Sequence, residues 1–319
     1  MKILANDGIS PTGKALLMES GFEVFTDNVP QHDLANYLNT EGIDVLLVRS
    51  ATTARKELID ACPGLTLIGR GGVGMDNIDV SYAREKGITV INTPASSSQS
   101  VAELVMGQMF SIARFLHDSY KNIGNGDFNR LKKAYGKGIE LRGKTLGILG
   151  FGRIGQSLAS YALGAGMEVI PITLTPGTFD IEVPIGLSQK TTVSLQSVSD
   201  MYKVLPTLDY LSIHVPKQPN GLAVISHQEF AAMKNGIRIL NAARGGVIDE
   251  SALLEALAQE KVAFAALDVF ENEPTPNQSL LNHPKIACTP HIGAATQEAQ
   301  DRIGEELASL ITAHFRKNG

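Results

Sequence analysis

The stretch Gly147-Ile148-Leu149-Gly150-Phe151-Gly152-Arg153-Ile154-Gly155 restricts what this chain can become more than any other. An apolar run enters a Gly-x-Gly-x-x-Gly turn, and Gln156-Ser157-Leu158-Ala159 carries it on at helical spacing. Side chains are excluded where a chain must turn tightly and approach a pyrophosphate closely, and the following helix offers its N–H groups to the anion. With Lys144-Thr145-Leu146 supplying the strand in front, Gly150, Gly152, Arg153, Ile154 and Gly155 read as a dinucleotide-binding turn.

The chain has 319 residues, a length that suggests about two domains. Its formal charge of -5 comes without a basic block, so nothing points to nucleic acid or an anionic membrane surface. Cys62 and Cys288 are the two cysteines and show neither disulfide nor metal-ligand spacing, so no metal is expected. Met1-Lys2-Ile3-Leu4-Ala5 meets Asn6-Asp7 too soon to form a signal core, and no apolar run approaches the roughly 18 residues of a membrane span. A soluble, cytoplasmic protein is expected.

Short β-rich runs alternate with amphipathic stretches through the first ~95 residues, from Lys2-Ile3-Leu4-Ala5 to Thr89-Val90-Ile91. Such alternation predicts a parallel sheet covered on both faces. After Asn92-Thr93-Pro94, apolar positions from Val101 to Phe115 recur at helical spacing and lead into a second α/β unit that begins around Thr145. Ala294 to Phe315 is amphipathic and long enough to return over the first domain. The resulting expectation is an α/β chain of two doubly wound parallel-sheet domains: substrate-binding residues 1–95 and 288–319, flavodoxin-like, with a Rossmann nucleotide domain, 96–287, inserted. Thr175 to Val193, rich in Pro, Gly and Thr, reads as an irregular excursion.

Oxidising an alcohol through a nicotinamide needs a base for the hydroxyl proton, and histidine titrates in the right range. His32, His117, His227, His283 and His314 sit among polar neighbours and are set aside as solvated or capping residues. His214 ends a strand before Val215-Pro216, beside the expected adenosine pocket, and is read as structural. His291 in Thr289-Pro290-His291-Ile292-Gly293-Ala294 follows a strand directly, at the end where open α/β sheets bind ligands. Glu273, just after the preceding strand, is the best carboxylate to orient it; a surface acidic loop is the alternative. Arg244, flanked by Gly245 and Gly246, could grip a substrate carboxylate bidentately, or belong to a structural ion pair.

These segments, with Gly69 to Asp79, occur in the order seen in D-2-hydroxyacid dehydrogenases, and the chain resembles that family over nearly its whole length. The wording is nearest the branch acting on D-3-phosphoglycerate, chiefly in Val48 to Thr52 and Thr289 to Gln300. The resemblance implies NAD-dependent oxidation of D-3-phosphoglycerate to 3-phosphohydroxypyruvate, the entry to serine synthesis. Arg244, Glu273 and His291 then match the catalytic set. Asp268 matches the residue that holds the nicotinamide carboxamide, and Val215, Pro216, Ala242, Ala243, Gly293 and Ala294 match the rest of the cofactor lining. Val73-Gly74 resembles the loop that receives the substrate carboxyl group, and Arg49, Ser50, Arg70 and Arg130 match positions near a substrate phosphate. A homodimer through Ser119 to Glu140 is also implied, as is the absence of the serine-binding regulatory domain of longer members, for which the chain has no room.

One departure stands out. Where the family ends its second nucleotide-fold strand with an aspartate for the ribose hydroxyls, this chain has Thr173, with no arginine or lysine in Leu174-Thr175-Pro176-Gly177 to grip a 2′-phosphate. NAD is the expected cofactor, NADP is left open, and Asp180 could fold back. A glyoxylate or hydroxypyruvate reductase is the alternative enzyme, and an NAD-sensing corepressor the alternative of another class; for the latter, the chain lacks a tryptophan and a polar extension.

Overall fold

The computed structural model describes residues 1–124, 126–186 and 188–318. It divides into two compact units, Met1–Ser98 with Ala294–Gly319, and Gln99–Gly293. The divisions fall after Ser98 and after Gly293, later than the 95/96 and 287/288 cuts drawn from the sequence. The reason is local. The strand Ile286–Cys288 pairs with Val262–Leu267, and the turn after it is bonded to Asp268, so both stay with the second unit.

In the first unit, β1 (Lys2–Ala5), β2 (Glu23–Phe25), β3 (Val45–Val48), β4 (Leu67–Arg70) and β5 (Thr89–Asn92) form a parallel sheet of order β2-β1-β3-β4-β5. This is the flavodoxin-like order. All four residues of β3 are buried, as a strand covered on both faces requires. Val45 and Leu47 join a cluster with Leu17, Ile303, Leu307 and Ile311, while Leu46 and Val48 face Leu34, Leu38, Leu58 and Ile59. Helices Pro11–Glu19 and Gln297–Asn318 cross so closely that a Cβ on Gly13 would stand 2.6 Å from Gly304 Cα. Only glycine fits there.

In the second unit, β6 (Thr145–Leu149), β7 (Glu168–Ile172), β8 (Thr178–Ile185), β9 (Gln189–Gln196), β10 (Tyr210–Ile213), β11 (Ile237–Asn241), β12 (Val262–Leu267) and β13 (Ile286–Cys288) follow the long helix Ser98–Arg114. Six of them make a parallel sheet of order β13-β12-β11-β10-β6-β7. The order reverses beside β6, the switch point where such sheets bind ligands. Strands β8 and β9 form a separate antiparallel pair, so the irregular excursion expected over Thr175 to Val193 is mostly a hairpin. Its alternation explains it: Ile181 and Val183 are buried while Asp180, Glu182 and Pro184 are exposed. Phe179 meets Phe151 edge-on at 5.0 Å, seating the hairpin beside the helix Arg153–Gly164.

Candidate active site

The glycine turn follows β6. Gly150 has φ +90°, and a Cβ there would come within 2.6 Å of His214 O and 2.8 Å of Val215 Cγ1. Gly155 is held by packing, since its Cβ would lie 2.6 Å from Gly150 O; Gly152 faces open space. Helix Arg153–Gly164 starts at Gly152 with no side-chain cap, leaving its first N–H groups available to an anion. These features fit a pyrophosphate. Val215 and Pro216 follow β10 on the other side of the switch point, with Val215 packed on Gly150.

At the far edge of the same sheet, His291 Nδ1 lies 2.7 Å from Glu273 Oε2. Glu273 Oε1 accepts from the Phe270 amide at 2.9 Å. Burial pushes the Glu273 carboxyl up, but the His291 hydrogen bond, the Phe270 amide and the nearby charges of His291 and Arg244 outweigh it, leaving the carboxyl below its ordinary value. Arg244 leaves the carboxyl end of β11, and its charge reaches Glu273. The structure thus brings Arg244, Glu273 and His291 together. With Nδ1 donating to the carboxylate, the neutral ring presents its Nε2 lone pair outward as a proton acceptor.

His291 sits at φ +54°, in the left-handed region that few side chains other than Asn, Asp and His adopt. Its turn is fixed from beneath by Asp268. One oxygen of that carboxylate accepts from Thr289 Oγ1 at 2.6 Å and Ile292 N at 2.9 Å, the other from Gly293 N at 2.8 Å. Asp268 has 0% exposure, and its carboxylate braces the turn that carries His291 and Gly293. Gln108 Nε2 and Ser100 Oγ reinforce it, donating to Thr289 Oγ1 and Gly293 O.

Sequence reasoning missed three further braces. Asn241, almost wholly buried, accepts from Ala243 N and donates to Arg244 O, closing the turn that holds Ala242 and Ala243. Glu250 accepts from Glu271 N at 2.8 Å, while Glu250 N donates to Glu271 Oε1 at 3.4 Å, so the loop carrying Glu273 is clipped to the helix Glu250–Ala258. Gly245 lies against the Phe270 carbonyl. The Asn241 turn is a local side-chain-to-backbone pattern, whereas the Glu250–Glu271 and Gly245–Phe270 partners are brought together only by the fold.

The other expected residues sit in local settings of their own. Thr173 Oγ1 bonds Thr175 O at 2.7 Å and Ser197 Oγ at 2.9 Å, so its hydroxyl is engaged with the turn around it. Asp180 accepts from Ser194 Oγ on the hairpin and does not fold back. Arg130 stands on the exposed helix Phe128–Tyr135, where its charge acts on the Tyr135 phenol and not on the Arg244–Glu273–His291 group. In the first unit, Arg49 and Arg70 leave the adjacent strands β3 and β4, whose register pairs Val48 with Arg70. Asp7 accepts from Arg49 N, the Arg70 guanidinium lies along Gly72 and donates to Gly71 O, Ser50 is exposed, and Asn92 Nδ2 holds Val73 O beside Gly74. Ala294 opens the first unit's return segment, its carbonyl accepting from Gln300 Nε2.

A nucleotide switch point and a histidine–carboxylate pair on one parallel sheet define a nicotinamide-dependent dehydrogenase. The NAD binding domain of the D-isomer specific 2-hydroxyacid dehydrogenases matches residues 106–293, and the chain belongs to that family. It is 40% identical to a hydroxypyruvate reductase of Thermotoga maritima over 97% of both chains. It is also 40% identical to a D-3-phosphoglycerate dehydrogenase of Methanocaldococcus jannaschii, over 99% of this chain but 58% of that protein. Among solved structures, an NADPH-dependent glyoxylate/hydroxypyruvate reductase of Sinorhizobium meliloti, in complex with NADP and malonate, superposes with TM-score 0.79 at 26% identity, covering 98% of this chain and 93% of that one. The chain is thus an NAD(P)-dependent D-2-hydroxyacid dehydrogenase carrying the family's NAD-binding domain.

Proposed function

We propose that the chain oxidises D-3-phosphoglycerate to 3-phosphohydroxypyruvate, with Arg244, Glu273 and His291 as its catalytic residues. The observation that carries the chemistry is the 2.7 Å bond from His291 Nδ1 to Glu273, with the Arg244 charge beside it. When bound, the nicotinamide supplies the acceptor for the hydride leaving C2 of the substrate. The protein does the rest: His291 Nε2 takes the hydroxyl proton as the C2–O bond becomes a carbonyl, and Glu273 steadies the imidazolium that forms. Arg244 binds the substrate carboxylate and polarises the new carbonyl. The reverse reaction returns the same proton from Nε2.

A phosphorylated substrate is favoured by the two arginines, Arg49 and Arg70, at the carboxyl ends of neighbouring strands. Hydroxypyruvate reduction is the second reading, favoured by the match over 97% of the length of the Thermotoga maritima enzyme. Steady-state rates with 3-phosphoglycerate and D-glycerate separate them. A preference of at least about tenfold in kcat/KM for the phosphorylated acid supports the first reading, and the opposite preference replaces it with the second.

The reading includes a cytoplasmic homodimer. Phe110 near the end of the long helix, and Leu116, Tyr120, Ile123 and Phe128 on the segment that follows it, are all exposed apolar side chains suited to a second copy. Light scattering showing a monomer would refute the dimer.

A further inference from the structure

We propose that the ribose pocket of this enzyme is charge-neutral and admits a 2′-phosphate, so that NADPH binds about as tightly as NADH. The inference rests on the dehydrogenase reading and names the cofactor class of its nucleotide site.

The turn after β7 stands beside the glycine turn. Leu149 pairs with Ile172, and Gly150 N donates to Ile172 O at 3.0 Å, so the chain leaving β7 at Thr173 is neighbour to the helix start at Arg153. In nucleotide folds of this class, a carboxylate at the end of that strand bonds the ribose hydroxyls and repels a 2′-phosphate. Here the residues Thr173-Leu174-Thr175-Pro176-Gly177-Thr178 contain no ionisable side chain.

Two of the acids that follow in the chain, Asp180 and Asp200, are both engaged elsewhere. The turn is closed on itself by Thr173 Oγ1 on Thr175 O and Ser197 Oγ, and by Gly177 N on Ser197 Oγ at 2.8 Å. The next carboxylate along the chain, Asp180, is tied to Ser194 on the exposed face of the hairpin. Asp200 caps the short turn Met201–Lys203 through Tyr202 N. The β8–β9 hairpin therefore seals the turn with hydroxyls instead of a charge.

Two side chains beside the turn suit the cofactor, and one of them suits its negative charge. Arg153 is exposed at the first position of its helix, and among the described residues no carboxylate pairs with it. Leu174 is 100% exposed, an apolar surface next to Thr173 that a purine face can cover.

Fluorescence titration of the full chain with NADH and with NADPH, in the absence of substrate, tests the proposal. The two dissociation constants should agree within about tenfold. Thr173→Asp should raise the NADPH constant about a hundredfold and tighten NADH, because a carboxylate against a phosphate is a repulsive pair. Thr173→Ser should keep the wild-type ratio, and Arg153→Ala should weaken NADPH about tenfold more than NADH. Tight NADH with NADPH weaker by more than about tenfold in the wild type overturns the neutral pocket and leaves the dehydrogenase reading standing. Binding of neither cofactor by the folded protein overturns both.

Discussion

Gly245 packs so tightly on Phe270 that a Cβ at residue 245 would stand 1.7 Å from the Phe270 carbonyl oxygen and 2.7 Å from Glu271 N. The turn that presents Arg244 and the loop that presents Glu273 are thereby pressed into one register. Their obstacle is backbone, which cannot swing aside as a side-chain end can. Gly245→Ala should therefore separate the two loops, cutting kcat/KM at least about a hundredfold and costing roughly 2–4 kcal/mol of stability. Urea unfolding and steady-state kinetics check it; a variant with wild-type values in both would show that the contact is not needed.

Asp268 makes a second prediction. Asn at this position has the same shape, but its NH2 group must face at least one of the N–H or O–H donors that now converge on the carboxylate. Asp268→Asn should cost about 2–3 kcal/mol. It should also lower kcat more than it weakens cofactor binding, because the residue acts through the His291 turn. Equal loss in both measurements would assign Asp268 a direct contact with the cofactor instead.

Glu273 should show its charge in a pH series. Its carboxyl is held below its ordinary value of 4.5, so the folded protein keeps it ionised to lower pH than the unfolded chain does. The stability this provides is present above pH 4.5 and is lost as the pH falls through the lower folded value. Glu273→Gln keeps an acceptor for Phe270 N but removes the charge. The stability gap between wild type and variant should narrow in acid, and kcat at neutral pH should fall about a hundredfold. A gap that widens in acid would contradict the assigned pairing.

His214 also costs stability in acid, but through burial and not through a charged partner. Burial pushes it down to about 4 from 6.5, with Nε2 2.8 Å from Ser212 Oγ and Nδ1 without a partner among the described residues. Between pH 4 and 6.5 the unfolded chain binds the extra proton, so stability rises with pH across that window. Acidifying from pH 7 to pH 5 should cost about 2 kcal/mol through this residue, and His214→Gln should flatten the slope. Unfolding curves at the two pH values measure it; an unchanged slope would show that His214 is not the group responsible.

The parallel sheets were legible because strands covered on both faces must be apolar throughout, as Val45-Leu46-Leu47-Val48 is. The glycine turn was legible because only glycine satisfies Gly150's backbone and its approach to His214. His291 and Glu273 could be read because each directly follows a strand of the same sheet. The hairpin was obscured by its own punctuation: Gly177, Pro184 and Gly186 suggest irregular chain, while the alternation that defines β8 shows only once Ile181 and Val183 have a surface to cover. The braces at Glu250 and Asp268 depend on partners 21 and 25 residues away, aligned by tertiary folding. Arg130 carries the right charge, but its helix places it with Tyr135.

Turnover of His291→Asn addresses the central claim most directly. Asparagine tolerates the left-handed backbone at this position, so the fold should survive, while the proton acceptor is lost. Turnover with the preferred 2-hydroxy acid should fall at least about a thousandfold, with the NADH dissociation constant within about threefold of wild type. A variant that binds NADH normally and still turns over at the wild-type rate would contradict the assignment of His291 as the base.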